Sequence, residues 1–327
     1  MSKPIPQTME HVTQCPACRG QAWRERPLPR LRIGEAFFDG NGVVCGLVQC
    51  RRCGLEFVNP RPAAAVLDAF YNQPGYAAHS ESDDPFQVAA VQARLKRLQP
   101  LAAASRVLDI GCGNGLLLEA CRMAGCECVG VEPSQYGRRI TAARGLPVFP
   151  DLGSVPAEKP FDLVTLYHVM EHVADPDGLL AAVKTRLGSG GRLCLEVPNL
   201  RSVRAVLFFL LPRRWRREDD RYRAFPIHLY GFTPGSLEVL LRRNGFTQLV
   251  ITTTGVGFGS DPASAATGLP RSGAGGAASG VSAGAVPQTP SHVQGVAGWR
   301  RFAKKVWRLA EQAGWGENLT AIATLQP

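Results

Sequence analysis

Two cysteine pairs, Cys15-Pro-Ala-Cys18 and Cys50-Arg-Arg-Cys53, have the spacing at which one tight turn presents two thiolates to a single tetrahedral ion. Each pair is followed within two residues by a glycine, Gly20 or Gly54, and the chain between them is long enough to return as strands. Four thiolates leave no open coordination position, so the expected metal is a structural zinc that stabilises a small ribbon and performs no chemistry. A second constellation runs Asp109-Ile-Gly111-Cys-Gly113-Asn-Gly115, with Glu132 after the next apolar run. Glycines at a strand-to-helix joint allow positive φ and let a ligand reach bare backbone, while the following helix offers free N–H groups and a partial positive charge. Glu132 is placed to accept hydrogen bonds from both hydroxyls of a ribose. A nucleotide-like cofactor belongs at this turn. His168, Glu171 and His172 make a third group, and His228 stands apart, farther along the chain.

The elements that must hold these residues alternate strand and helix. Arg106 to Ile110 is the short apolar run of a strand buried on both faces, and Leu116 to Met123 carries leucines on one side of a helix. Cys126 to Val131 is a second strand, Ser134 to Ala143 a helix capped by Ser134, and Leu146 to Phe149 a short third strand. Phe161 to Leu166 is the fourth strand, and a helix over Asp175 to Leu187 is capped by Asp175 with Pro176 at its first position. Gly188 to Gly191 turns into a fifth strand, Arg192 to Val197. A helix over 235–244, a strand from Phe246 to Thr253 and a last strand from Asn318 to Leu325 follow. The expected class is α/β with a doubly wound sheet, whose ligands sit outside the carboxyl ends of the strands.

A dinucleotide site would read GxGxxG; this turn does not, and its acidic partners sit differently. Val107 to Gly115 resembles the first motif of the class I methyltransferases that use S-adenosylmethionine (SAM), and Val-Gly-Val-Glu132-Pro-Ser resembles their second. The resemblance implies a Rossmann-like seven-stranded sheet whose last strand is antiparallel. It implies that Gly111, Gly113 and Gly115 hold the methionine part of SAM, that Glu132 binds its ribose and that Asp109 orients the loop. Asp151 would bond the adenine amine, with a solvated turn residue as the equal alternative. Tyr167 and Tyr76 are also assigned to the cofactor, Tyr76 in a segment that closes over it or else packs a helix down. The exit from the cysteine module, Gly54 to Pro62, resembles that of a subgroup acting in cell-surface sugar and secondary-metabolite pathways. A histidine before the penultimate helix of that subgroup faces the cofactor's methyl group, which makes His228 the first choice of general base and His168 the second.

At His168 and His172 three readings stand open: a metal pair, for which no third ligand is plain; a general base with an imidazole pKa near the ordinary 6.5; or a helix-start segment in which Glu171 and His172 hold the loop. The last is preferred for His172. The expected organisation is a zinc ribbon over 1–62, a helical lid or connector over 63–104, and a methyltransferase core over 105–254 and 314–327. A Gly/Ala/Ser/Pro-rich insertion over 255–297 has a composition that cannot bury a core, and 298–313 reads as a basic amphipathic helix.

The 327 residues carry a formal charge of +10, which implies an anionic partner without naming it. Basic and aromatic residues between Leu200 and Arg223 suit a lid, a membrane interface or an anionic substrate. No apolar run approaches the roughly 18 residues of a membrane span, and the ten cysteines suit metal and core packing better than disulfides, so a cytoplasmic protein with possible peripheral contact at the inner membrane surface is expected. Cys45 is a less favoured ligand, and Cys112, Cys121, Cys126, Cys128 and Cys194, in the core elements, read as small apolar fillers. Together these point to SAM-dependent methylation of a small or lipid-linked metabolite such as a sugar, on oxygen sooner than carbon. Nucleic acid is disfavoured because the ribbon lacks interleaved aromatics; an RNA or protein methyltransferase and a non-catalytic scaffold are the alternatives.

Overall fold

The computed structural model describes residues 9–26, 31–32, 44–71, 85–203, 205, 228–255 and 312–325. Tyr76, the basic stretch at 206–227, and nearly all of the insertion and basic helix lie outside these residues.

The N-terminal module contains β1 (Trp23–Glu25), β2 (Leu47–Cys50) and β3 (Glu56–Val58), and helix α1 (Ala64–Tyr71) follows it. Helix α2 (Pro85–Leu98) leads into the large sheet, built from β4 (Arg106–Ile110), β5 (Glu127–Val131), β6 (Val148–Phe149), β7 (Phe161–Tyr167) and β8 (Leu187–Pro198). Between these strands run α3 (Leu116–Met123), α4 (Gln135–Ala143) and α5 (Pro176–Arg186). The chain continues through β9 (Tyr230–Gly231), α6 (Pro234–Arg243), β10 (Phe246–Thr254) and β11 (Asn318–Leu325). The seven-stranded sheet has the order β6-β5-β4-β7-β8-β11-β10, parallel except for β11, which is antiparallel to both neighbours.

Strand alternation feeds two cores. Leu108, Ile110, Val164, Leu166 and Leu195 face a layer containing Leu180, Val183 and Leu240, whereas Val107, Leu163, Tyr167 and Cys194 face Val91, Leu98, Leu117 and Leu118. Burial on both faces is why these strands read as continuous apolar runs. The five cysteines expected as fillers are all buried, and so is Cys45. The caps act where the sequence puts them: Ser134 and Asp175 accept from the backbone N–H groups of Gly137 and Gly178. The largest boundary difference is at the start of the fifth strand. Helix α5 stops at Arg186 because Leu187 already pairs with Phe161, and Gly188 to Gly191 bulges inside β8 before pairing resumes at Leu163 and Arg192.

The cysteine module is not a separate bead. Strand β9 adds to its sheet, Tyr230 opposite Phe57 and Gly231 opposite Glu56, giving the order β9-β3-β2-β1. Arg243 at the end of α6 donates to the carbonyls of Ala17 and Pro16 at 2.8 and 2.9 Å, and Arg61 donates to the Tyr230 hydroxyl at 2.7 Å. No helix among the described residues is long and apolar enough to cross a membrane.

Candidate active site

At the carboxyl end of β4 the chain turns through Gly111, Gly113 and Gly115, all in the left-handed region at φ 73°, 55° and 77°. A Cβ on Gly111 would lie 2.4 Å from Val169 Cγ2, so the loop closes tightly on one side. At Gly113 an added Cβ meets nothing within 4 Å. The loop therefore presents bare backbone to open space at its centre, as a ligand cradle needs.

Glu132 closes the floor of this cradle. One carboxylate oxygen accepts from Gly113 N–H at 2.9 Å and the other from Ser134 N–H at 2.8 Å, so each keeps a lone pair for a further donor. Burial raises the Glu132 pKa, opposed by those two N–H groups and by the positive charge of Arg138. Room for the side chain comes from Gly137, inside α4, where a Cβ would sit 2.8 Å from Glu132 Cγ and 3.1 Å from the Gly113 carbonyl oxygen. Sequence reading missed Gly137; a glycine two residues into a helix that begins beside an acidic residue was the available signal. Asp109 lies beneath the loop, accepting from the Thr165 hydroxyl at 2.6 Å, and burial lifts its pKa to about 7 against that bond.

Two other assigned residues have partners of their own within the protein. Tyr167 is buried with its hydroxyl 3.3 Å from Cys194 Sγ and the Arg94 guanidinium stacked 4.4 Å from its ring centroid. Exposed Asp151 caps a turn, accepting from Ser154 N–H at 2.8 Å and from its hydroxyl at 3.0 Å, which lowers its pKa. These are the contacts that the solvated-turn alternative expects.

His168 follows β7 with φ 56°, an uncommon conformation for a side-chain-bearing residue, held by its N–H donating to the Glu196 carbonyl at 2.9 Å. Its Nδ1 is 3.2 Å from Glu171 Oε1 and its Nε2 3.4 Å from Glu196 Oε1. Burial alone would lower its pKa, but the two carboxylates raise it to about 9, and Glu171 falls to about 2 in turn despite its burial. An imidazolium occupied at both nitrogens is a poor proton acceptor near neutrality. Glu196, an acidic residue inside the apolar run Leu-Cys-Leu-Glu-Val, also binds Arg94 Nη2 at 2.8 Å, Arg97 Nη2 at 3.0 Å and the Thr320 hydroxyl at 3.2 Å. This buried network also escaped the sequence reading.

His172 and His228 meet, their rings edge to face with centroids 4.6 Å apart. The backbone fixes the encounter, because Leu229 N–H donates to the Glu171 carbonyl at 2.7 Å. Ligand-type atoms of Glu171, His172 and His228 all lie within 4.8 Å of one another. In the N-terminal module the four sulfurs of Cys15, Cys18, Cys50 and Cys53 converge likewise, with Cys15 to Cys53 at 3.6 Å and Cys18 to Cys50 at 3.5 Å. Tetrahedral zinc with Zn–S bonds of about 2.3 Å requires sulfurs about 3.8 Å apart, and the set fits that ion.

Residues 84–250, just over half of the chain, match the family described as Methyltransferase domain. The chain belongs to that family. It is 32% identical over 130 residues to a ubiquinone biosynthesis O-methyltransferase of Bordetella avium, covering 36% of this chain and 54% of that one. The corresponding protein of Xanthomonas euvesicatoria is 30% identical over 145 residues, 42% of this chain and 59% of the other. The matches thus span little more than half the length of these curated relatives. Among solved structures, a SAM-dependent methyltransferase from Archaeoglobus fulgidus is 22% identical, with 72% of this chain and 94% of that chain covered at a TM-score of 0.46.

Proposed function

We propose that this protein is a SAM-dependent methyltransferase acting on a small or lipid-linked hydroxylated metabolite, on oxygen sooner than carbon. The observation that carries the reading is Glu132, a carboxylate tied at both oxygens to the glycine loop and the next helix, with a lone pair left on each for a ribose hydroxyl. Gly111, Gly113 and Gly115 would receive the methionine part of SAM, and Asp109 would hold the loop from below. SAM supplies an electrophilic methyl group on a sulfonium. The chain's own contribution is to hold the acceptor oxygen in line with that methyl group, exclude water and accept the acceptor's proton.

That proton is handled in the cluster of Glu171, His172 and His228, with His228 its foremost member. His168, already engaged by two carboxylates, serves as a fixed positive charge that positions Glu171. The four cysteines hold a structural zinc that stiffens the module to which β9 is paired, and β9 begins two residues after His228. The relatives named for O-methylation favour an oxygen acceptor, and the basic stretches at 206–223 and 298–313 suit peripheral contact with an anionic membrane.

The test is to incubate purified protein and methyl-labelled SAM with an extract of host cells lacking the gene, then count label in lipid, small-molecule, RNA and protein fractions. Label in the lipid or small-molecule fraction is expected. Label confined to RNA or protein would overturn the substrate assignment.

A further inference from the structure

The sequence offers His168 and His172 as a pair without a third ligand, but the fold supplies one from elsewhere. His228 is brought to His172 by the Leu229 to Glu171 backbone hydrogen bond, and Glu171 completes the group. We propose that Glu171, His172 and His228 form a second metal site, separate from the four cysteines, which takes a divalent first-row cation such as zinc. Two imidazoles and a carboxylate are a ligand set typical of catalytic zinc, in which three protein ligands leave a position open.

Three observations support the site. The side chain of Glu171 is fully buried, its Oε1 is held by His168, and its Oε2 has no hydrogen-bond partner among the described residues. A buried carboxylate oxygen left bare is costly, and a cation beside it removes the cost. The ligand atoms already lie within 4.8 Å of one another; around a common ion at about 2.1 Å they would stand roughly 3.4 Å apart, within reach of small side-chain rotations. The ring of His168 also acts as the outer partner that orients a ligating carboxylate.

The position assigns the ion a task that rests on the methyl-transfer reading. Val169, immediately before the turn Met170–His172, packs against Gly111, so the cluster stands at the rim of the glycine loop. An acceptor hydroxyl bound at the open position would be acidified by the ion. It loses its proton to solvent, its oxygen bonds to the methyl carbon, and the carbon–sulfur bond breaks with its electron pair going to sulfur. A methyl ether and a neutral thioether result. With the ion bound, this route replaces the one in which His228 is the base: His228 acts as a ligand, and the proton goes to solvent. Acceptors with oxygens that bind metals, such as catechols and vicinal diols, form the expected class.

The experiment titrates full-length protein, its cysteine site filled with zinc, with cobalt(II), followed by visible absorption and calorimetry. One further equivalent is expected, with ligand-field bands free of thiolate charge transfer, and at least tenfold weaker binding in His172→Ala and His228→Ala. Absence of saturable cobalt binding in folded wild-type protein, or unchanged affinity in both folded variants, would overturn the site. Should the variants fail to fold, broadening of histidine ring resonances by cobalt in the wild-type protein decides: His172 and His228 broadened while His11 stays sharp supports the site, and uniform sharpness overturns it. SAM affinity is measured on the same samples. SAM binding without cobalt binding defeats this inference alone, whereas cobalt binding without SAM binding defeats the methyl-transfer reading.

Discussion

Gly137→Ala separates a local helix effect from a site effect. Gly137 lies inside α4, where alanine is intrinsically better by about 1 kcal/mol. The added Cβ would lie 2.8 Å from Glu132 Cγ and 3.1 Å from the Gly113 carbonyl oxygen, so either α4 shifts or Glu132 swings away. Overpacking of this kind costs about 1–3 kcal/mol, so net stability should fall by no more than about 2 kcal/mol. The larger effect falls on the cofactor. A hydrogen bond to a charged group contributes about 1.5–3 kcal/mol, so a displaced carboxylate weakens SAM binding by roughly 10- to 150-fold. Gly235→Ala is the control, since Gly235 also sits in a helix but meets nothing within 4 Å. Calorimetric titration with SAM and urea unfolding on both variants make the comparison. Equal SAM affinity for folded Gly137→Ala and wild type would refute the role given to Glu132.

Cys50→Ser should lower bound zinc at the cysteine module to below half an equivalent. It should also reduce methyl transfer, because β3 pairs with β9 beside His228; metal analysis and a labelled-methyl assay check both effects. Glu196→Gln leaves Arg94, Arg97 and His168 without their shared buried anion and should cost about 3–5 kcal/mol in urea unfolding. The pH dependence follows from His168, whose folded pKa of about 9 exceeds its ordinary 6.5. Its contribution is complete below pH 6.5 and is lost as pH rises through 9, so the stability difference between wild type and His168→Gln should shrink over that window in urea titrations. A difference that stays flat would show that the imidazolium is not paired as described.

The parts of the fold legible in the sequence were those encoded locally. Apolar runs such as Arg106 to Ile110, the caps Ser134 and Asp175, and the glycines after Ile110 each carry their instruction within a few residues. The cysteine quartet was legible because its spacing is itself the signal. Pairings across long stretches of chain were not: nothing near Tyr230 announces that it extends the N-terminal sheet, nor anything near His172 that His228 will meet it. Tyr167 and Asp151 have protein partners that their positions in the pattern do not announce. The strand end and the turn are where the pattern puts them, but the Tyr167 hydroxyl reaches Cys194, and Asp151 serves its own turn. For His168 the sequence left base, metal ligand and loop residue open, because its two carboxylate neighbours, which set its charge, come from different elements.

The most direct test of the central claim is equilibrium dialysis of the full-length protein against labelled SAM, alongside Glu132→Gln. Saturable binding of one SAM per chain, weakened at least tenfold in the folded variant, is the predicted result. Folded wild-type protein that binds no SAM, or a Glu132→Gln variant that binds as well as wild type, would contradict it.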